Sequence, residues 1–219
     1  MRERIPDVPS AQARGQHAAS AASITRVSNT LLQAITRLSA TRANCAAGLV
    51  ADFAVSIVLL YAGFTRPDVH VVSALPAMLC GLFVFSFVEY AFHRWLFHGS
   101  VRIMEEGHHK HHEQPQGFDS LPFFLSPLLM LALAAVLTLA LPTSFALLGA
   151  GALAAGYATY GASHLTMHYR RFRHSLPRRW AAAHHIHHFH PDKNFGVTSP
   201  LWDVLLGTRY VSQKRVATS

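Results

Sequence analysis

Acidic residues are scarce in this chain: 11 Asp and Glu stand against 19 Lys and Arg among 219 residues, a formal net charge of +8 with histidine neutral. Charges of both signs make up only 14% of the sequence while apolar residues make up 51%, and mean hydropathy is positive. A soluble helical bundle with so few charges is hard to sustain. Cysteine is nearly missing. Two isolated residues, Cys45 and Cys80, exclude a disulfide framework and read as small packing residues in or near apolar segments. No compact apolar core ending in a small-residue cleavage site opens the chain, which argues against a secretory signal. No internal repeat is evident beyond paired apolar stretches.

What is present is a set of long apolar runs. Ala46–Phe64, Val69–Phe92, Leu121–Leu141 and Ser144–Ala162 each approach the roughly 20 residues that cross a hydrocarbon core. The first is the weakest, because Asp52 interrupts it. Pro76 is expected to kink the second. The third is almost uninterrupted Leu and Ala after Pro127. The fourth carries Ala152-x3-Gly156, a small-residue pair suited to close helix packing. The expected fold class is all-α, an integral membrane protein of about four transmembrane helices arranged as two hairpins.

Basic residues set the expected orientation. Arg2, Arg4, Arg14, Arg26, Arg37 and Arg42 precede the first span, Arg94, Arg102 and Lys110 follow the second, and Arg170, Arg171, Arg173, Arg178 and Arg179 follow the fourth. The connections Thr65-Arg66-Pro67-Asp68 and Pro142-Thr143 are short and nearly uncharged. The positive-inside rule then puts both termini on the cytoplasmic side. Juxtamembrane cations are drawn to anionic headgroups, so the run Tyr169-Arg170-Arg171-Phe172-Arg173-His174 reads as membrane-facing, and no nucleic-acid partner is expected. Some of these arginines could instead dock an acidic electron-transfer protein. Residues 1–42 form a separate polar and basic segment. Its first 20 or so residues are expected to be disordered. Ile24 to Leu38 has helical periodicity suited to the membrane surface, and an organelle transit peptide is the alternative.

Histidine is the enriched residue, with 16 in all. Ten of them fall into four tight groups: His93-x4-His98, His108-x2-His111-His112, His164-x3-His168 and His184-x2-His187-His188. Accidental enrichment would give one such group, and a metal-storage tract would be contiguous and polar. Ten imidazoles exceed the needs of one ion but suit two with about five each. Residues at i, i+3 and i+4 share one helix face, so the two triplets and the His164/His168 pair are each expected to converge on one point. His93 and His98 are five apart, off a single face of a straight helix, and are expected to straddle a helix end. The topology puts all four groups on the cytoplasmic side.

These residues resemble a known family. Phe87-Val88-Glu89-Tyr90-Ala91-Phe92-His93-Arg94-Trp95-Leu96-Phe97-His98 looks like the first histidine box of the membrane fatty acid hydroxylase/sterol desaturase superfamily, in the form most similar to the fatty acid 2-hydroxylase branch. His184-His185-Ile186-His187-His188-Phe189, then Asn194-Phe195-Gly196-Val197-Thr198-Ser199-Pro200-Leu201-Trp202-Asp203 and Gly207-Thr208, resembles the C-terminal signature of that branch. The resemblance covers about residues 80 to 210. It implies a helical membrane domain over residues 43–219, with a dinuclear metal centre under a cytosolic histidine-rich cap and O2-dependent oxidation of a lipid C–H bond. The implied ligands are His93, His98, His108, His111, His112, His164, His168, His184, His187 and His188. Two departures stand out. The branch often carries Tyr-Asp before its third box, where this chain has Tyr160-Gly161, and the cytochrome b5 domain fused to some eukaryotic members is missing here. Electrons are therefore expected from a separate cytochrome b5-like or ferredoxin-like donor.

Imidazole suits iron, zinc and copper alike. Hydroxylating an unactivated C–H bond needs a redox metal, so two irons are expected, with zinc conceivable in isolated protein. No side chain beyond the metal ligands need act as nucleophile or base; the protein supplies ligands, a dry pocket and an apolar slot. Metal-bound histidines usually pass their second N–H to a carboxylate or carbonyl. Glu89, Glu105, Glu106 and Asp203 are candidates for that role, and Tyr160 and Asn194 for neighbouring ones. His109 and His185 lie inside the groups but off their pattern, while His174 and His190 read as outer contacts and His17 and His70 carry no specific role. Tyr90, Trp95 and Trp180 read as interfacial anchors. The leading function is a fatty acyl hydroxylase. A sterol- or carotenoid-type desaturase or hydroxylase, or a non-catalytic membrane metal-binding protein, would also fit. A transporter would place polar ligands along its spans, and these histidines gather at one face.

Overall fold

A computed structural model of the chain describes residue 30 and residues 33–212. The expectations for residues 1–20, and for the amphipathic stretch apart from the helical residues 33–39, lie largely outside this range. The regular elements of the described residues are all helical, with no strand among them. In order they are α1 (Arg42–Phe64), α2 (Val71–Ala91), a π-helical turn (Phe92–Phe97), α3 (Arg102–Glu113), α4 (Leu125–Leu137), α5 (Thr143–Tyr169), α6 (Ser175–Phe189) and α7 (Leu201–Leu205).

Three helical stretches, Arg42–Phe64, Val71–Phe97 and Thr143–Tyr169, are long and apolar enough to cross a membrane. Their outward faces carry Val50, Ile57, Val58, Val72 and Leu79, all exposed. An apolar surface that broad belongs in lipid. The chain is thus an integral membrane protein. The sequence suggests a span over Leu121–Leu141, but α4 has only 13 residues, about 20 Å of helix against a core of about 30 Å. The cause is Asn44. Its side-chain amide donates to Ser120 Oγ (3.0 Å) and the Leu121 carbonyl (2.8 Å), and its Oδ1 accepts from Phe123 N–H (3.0 Å). Residues 120–123 are tied to α1 before a helix can include them.

Helix α5 is the hub. Helices α1 and α2, expected as a hairpin, each pack along α5, and α4 packs on α5 and α1. Small residues permit this close approach: a Cβ on Gly81 would lie 2.2 Å from the Gly149 carbonyl oxygen, and one on Gly156 would lie 2.5 Å from Phe85. Ala146, Ala150, Ala152, Ala154 and Ala158 are buried along the same helix. Asp52, which weakens the first apolar run, is buried here and accepts from Ser126 Oγ (2.7 Å), joining α1 to α4. A carboxylate in a span is costly without a partner, and α4 supplies one. At one end of the bundle the two short connections meet, where Ser144 Oγ donates to Asp68 (2.8 Å). The π turn, α3, α6 and α7 gather at the opposite end.

Candidate metal centre

The first histidine box depends on a local change of helix geometry. After Ala91, α2 widens into a π turn, and His98 N–H donates to the His93 carbonyl (3.2 Å). A ring closed from i to i+5 stacks residues five apart. This puts His93 and His98 on one face, where a regular α-helix would separate them, and His98 caps the turn.

The ten histidines form two groups of five. His93, His98, His108, His112 and His187 make the first, and His111, His164, His168, His184 and His188 the second; in each, one donor atom per residue lies within 4.8 Å of all the others. The triplets do not each converge on one point, as their spacing suggested; they divide. From α3, His108 and His112 enter the first group and His111 the second. From α6, His184 and His188 enter the second and His187 the first. On a helix, i+3 and i+4 fall on either side of i, about 60° one way and about 40° the other, so a helix running between two centres feeds both. His164 and His168, on α5, both enter the second group.

Within the first group, Nε2 of His108 lies 3.1 Å from that of His93, 3.0 Å from that of His98 and 3.0 Å from that of His112, and His98 and His187 approach to 3.0 Å. In the second, His184 lies 2.9 Å from His168 and 3.2 Å from His188. Imidazoles bound at about 2.1 Å to one ion, at right angles to each other, would stand roughly 3 Å apart. The donor sets therefore fit a metal in each group. The Nε2 of His111 is buried with no hydrogen-bond partner, as a ligand atom would be. Burial, with neighbouring imidazoles next, lowers the proton affinity of His98 and His111 to about 4. Burial likewise holds His187 at about 3 and His188 at about 2, and pushes His108, His112 and His184 down. These rings are neutral near pH 7, with lone pairs free.

Two of the outer nitrogens meet backbone carbonyls. His93 Nδ1 meets the Phe195 carbonyl (2.5 Å) and His187 Nδ1 the Lys193 carbonyl (2.7 Å). Both carbonyls belong to the loop after α6, and the carboxylates expected beside the histidines hold that loop instead. Glu89 accepts from Val197 N–H (2.5 Å), Thr198 N–H (2.9 Å) and the Thr198 hydroxyl. Asp203 accepts from Phe195 N–H (2.8 Å), Gly196 N–H (2.8 Å) and Thr208 Oγ1 (2.7 Å). Asn194, at φ 54°, donates to the Ala183 carbonyl (3.1 Å) and accepts from Tyr210 N–H (2.9 Å). At Gly196 a Cβ would lie 2.0 Å from the Ser199 carbonyl oxygen. Glu105 and Glu106 are exposed, Glu106 pairing with Arg102 (2.7 Å). Tyr160 stacks on His164 (centroids 5.7 Å apart, 8° between planes).

Two of the expected interfacial anchors have other duties. Tyr90 is fully buried and its hydroxyl meets Thr208 Oγ1 (3.0 Å), while Trp180 Nε1–H donates to the Val197 carbonyl (2.7 Å). Trp95 is half exposed. His109 is exposed beside Glu113 (3.3 Å), and His185 meets the Met167 carbonyl (3.1 Å), so both stay out of the groups. His190 stacks on Tyr210 (4.8 Å). The sequence gives no sign of the carbonyls of Lys193 and Phe195, since every residue has one; the positive-φ Asn194 next to Gly196 is the nearest hint.

Membrane-length helices under a helical cap, with ten inward histidines in two groups, define a polyhistidine membrane protein. This chain belongs to the fatty acid hydroxylase family, whose sequence profile matches residues 78–208. It is 30% identical over 150 residues to the dihydroceramide fatty acyl 2-hydroxylase FAH1 of Arabidopsis thaliana, covering 61% of this chain and 60% of that one. It is 30% identical over 167 residues to the fatty acid 2-hydroxylase of Rattus norvegicus, covering 68% of this chain and 44% of that one. The resemblance to the 2-hydroxylase branch is thereby borne out, although the chain spans less than two thirds of either relative. Among solved structures, the hydroxylase domain of full-length scs7p has the same fold, with a TM-score of 0.67 at 24% identity over 80% of this chain and 69% of that one.

Proposed function

We propose that the protein is an O2-dependent lipid hydroxylase that inserts a hydroxyl into a fatty acyl chain, using one iron in each histidine group. The observation that carries this reading is the meeting of ten buried or half-buried imidazoles in two groups whose donor atoms lie within 4.8 Å of one another. All-nitrogen sets accept zinc as readily as iron, but zinc has no redox chemistry. A bound iron pair would supply the O2 activation that oxidises a C–H bond, which no amino-acid side chain provides. The overall reaction consumes O2, two electrons and two protons, and returns an alcohol and water.

The chain's own residues bind, orient and exclude water. The Phe195 and Lys193 carbonyls fix the tautomer of His93 and His187, leaving each Nε2 lone pair for a metal. Glu89 and Asp203 hold those carbonyls in place through the loop amides. Phe97 stacks on His108 (5.2 Å) and Phe195 packs against His93 (5.8 Å), covering two rings of the first group with apolar surface. A cavity of 530 Å3 lined by Gln114–Gly117 and His168 opens beside the second group. Arg94, Arg102, Lys110 and Arg170 to Arg179 lie towards the histidine end, so the positive-inside rule assigns that end to the cytoplasm. The exposed Arg170, Arg171, Arg173, Arg178 and Arg179 offer a face to an acidic electron donor there.

The test is a lipid mass profile of cells making equal membrane amounts of the wild-type chain or His187→Ala, grown with oxygen, alongside iron and zinc analysis of the purified protein. A lipid series heavier by one oxygen in the wild type alone is expected. A series lighter by two hydrogens would replace hydroxylation with desaturation, and metal-loaded protein with no product would discard the enzyme.

A further inference from the structure

Two tyrosines lead away from the second histidine group along α5. Tyr160 is stacked on His164 (centroids 5.7 Å apart, 8° between planes), and Tyr157 lies against Tyr160 (6.4 Å, 29°). Positions 157, 160 and 164 have the i, i+3, i+7 spacing of one helix face, so the row descends about 10 Å from the cap into the spans. Phe85 of α2 packs edge-on against Tyr157 (6.5 Å, 77°). At the foot of the row the Tyr157 hydroxyl faces Ser126 of α4, and Ser126 Oγ donates to the buried Asp52 of α1 (2.7 Å). A serine hydroxyl has one proton to give. With that proton directed to Asp52, Ser126 Oγ is left as an acceptor towards Tyr157. Phenol, hydroxyl and carboxylate thus form a sequence with one direction.

Joining α1 to α4 needs no carboxylate. A pair of hydroxyls or apolar side chains would do so without the cost of a charge in a span. A base next to a phenol has a further use. Tyrosine is one of the few side chains that yield an electron to a strong oxidant, and it does so readily when its proton has somewhere to go. We infer that Tyr160 and Tyr157 form an escape route for oxidising equivalents stranded at the second histidine group when no C–H bond is in reach. The oxidant is the O2-oxidised iron of the function proposed above, on which this inference rests. Tyr160 relays one electron to the centre, which is reduced by one equivalent, and Tyr157 replaces that electron. The Tyr157 O–H bond breaks, its proton passes to Ser126 Oγ, and the proton of Ser126 passes to Asp52. The products are a neutral tyrosyl radical and a neutral carboxyl group, both away from the ligands. One electron returned from the electron donor, with the same proton, restores the phenol and the carboxylate. Tyr169, next to His168 in sequence, is exposed and donates to the Gln116 carbonyl, so it has no such base.

The test reads the radical and the damage to the chain, not turnover. Ferrous-loaded full chain in lipid-free detergent is mixed with O2 and freeze-quenched for electron paramagnetic resonance, with O2 uptake and bound iron measured for every variant. An organic radical that narrows on labelling with ring-deuterated tyrosine is expected. It should fall to background in Tyr157→Phe and several-fold in Asp52→Asn, and persist in Tyr169→Phe, all at unchanged iron content. Peptide mass spectrometry of the same samples should show several-fold more oxygen adducts on the cap histidines, Phe97 and Phe195 in Tyr157→Phe for equal O2 consumed. A radical undiminished in Tyr157→Phe, or adducts equal to wild type, would overturn the route. O2 uptake with no tyrosyl radical in the wild type would do the same. If such a chain still forms oxygenated lipid in cells, the hydroxylase stands and only the route falls. A chain that forms the Tyr157-dependent radical but no oxygenated lipid keeps the route and loses the hydroxylase. Ferrous protein that consumes no O2 overturns both.

Discussion

The two histidine groups have equal numbers of imidazoles but are held in different ways. In the first, His93 and His187 are locked from behind by carbonyls of the 193–198 loop, and that loop is in turn gripped by Glu89 and Asp203. In the second, the Nδ1 atoms of His184 and His188 are buried without hydrogen-bond partners, and orientation comes from ring packing such as Tyr160 on His164. A hydrogen-bonded ring has its tautomer and angle fixed, whereas a packed ring is fixed only in position. The first group should therefore depend on the loop, and the second should be indifferent to it.

The strongest way to break this contrast is to remove one ligand from each group. His98→Ala and His164→Ala are both expected to reduce product to background, with each variant losing the ion of its own group; metal analysis of the purified variants checks this. If either substitution empties both groups, they are one cooperative unit and the contrast fails. Next in size is Glu89→Ala, which leaves three loop donors of residues 197 and 198 without their acceptor. Metal affinity of the first group should fall by about 10- to 100-fold, with the second unchanged, in a titration of stripped protein. Equal weakening of both would show that the loop supports the whole cap.

Gly196→Ala probes the same loop sterically, because its new methyl must push the Ser199 carbonyl away. A loss of roughly 1–3 kcal/mol in stability is expected, seen as a lower unfolding temperature in detergent and accompanied by weaker metal binding in the first group. The smallest effect belongs to Tyr160. Tyr160→Phe preserves the stack on His164 and should leave metal binding within about twofold, whereas Tyr160→Leu removes an aromatic pair worth about 0.5–1.5 kcal/mol and should weaken the second group several-fold. Parallel titrations of the two variants separate ring from hydroxyl.

Much of the site was legible because imidazole spacing on a helix is a local property. The four histidine groups and their division into two sets of about five imidazoles follow from residue type, count and period. The split of each triplet did not follow, since the same i, i+3, i+4 pattern serves one centre or two until the neighbours of the helix are known. Glu89 and Asp203 were rightly singled out as carboxylates with work to do, but their partners are loop amides, a choice that depends on how the chain returns after α6. Tyr90 read as an interfacial aromatic because burial is invisible in a single residue type. Within the run Leu121–Leu141 the helix covers Leu125–Leu137, and composition, which reports apolar length, is blind to Asn44, about 80 residues away, holding the residues before it.

By itself the sequence determined an all-helical membrane protein with ten imidazoles in groups able to hold metal ions, because hydropathy and helical period act over a few turns and need no partner. The tertiary structure decided which histidine serves which group, which carbonyls orient His93 and His187 and which apolar stretch forms the shorter helix. Those outcomes rest on contacts between segments distant in the chain, and on a π turn whose extra residue per ring brings His93 and His98 to one face.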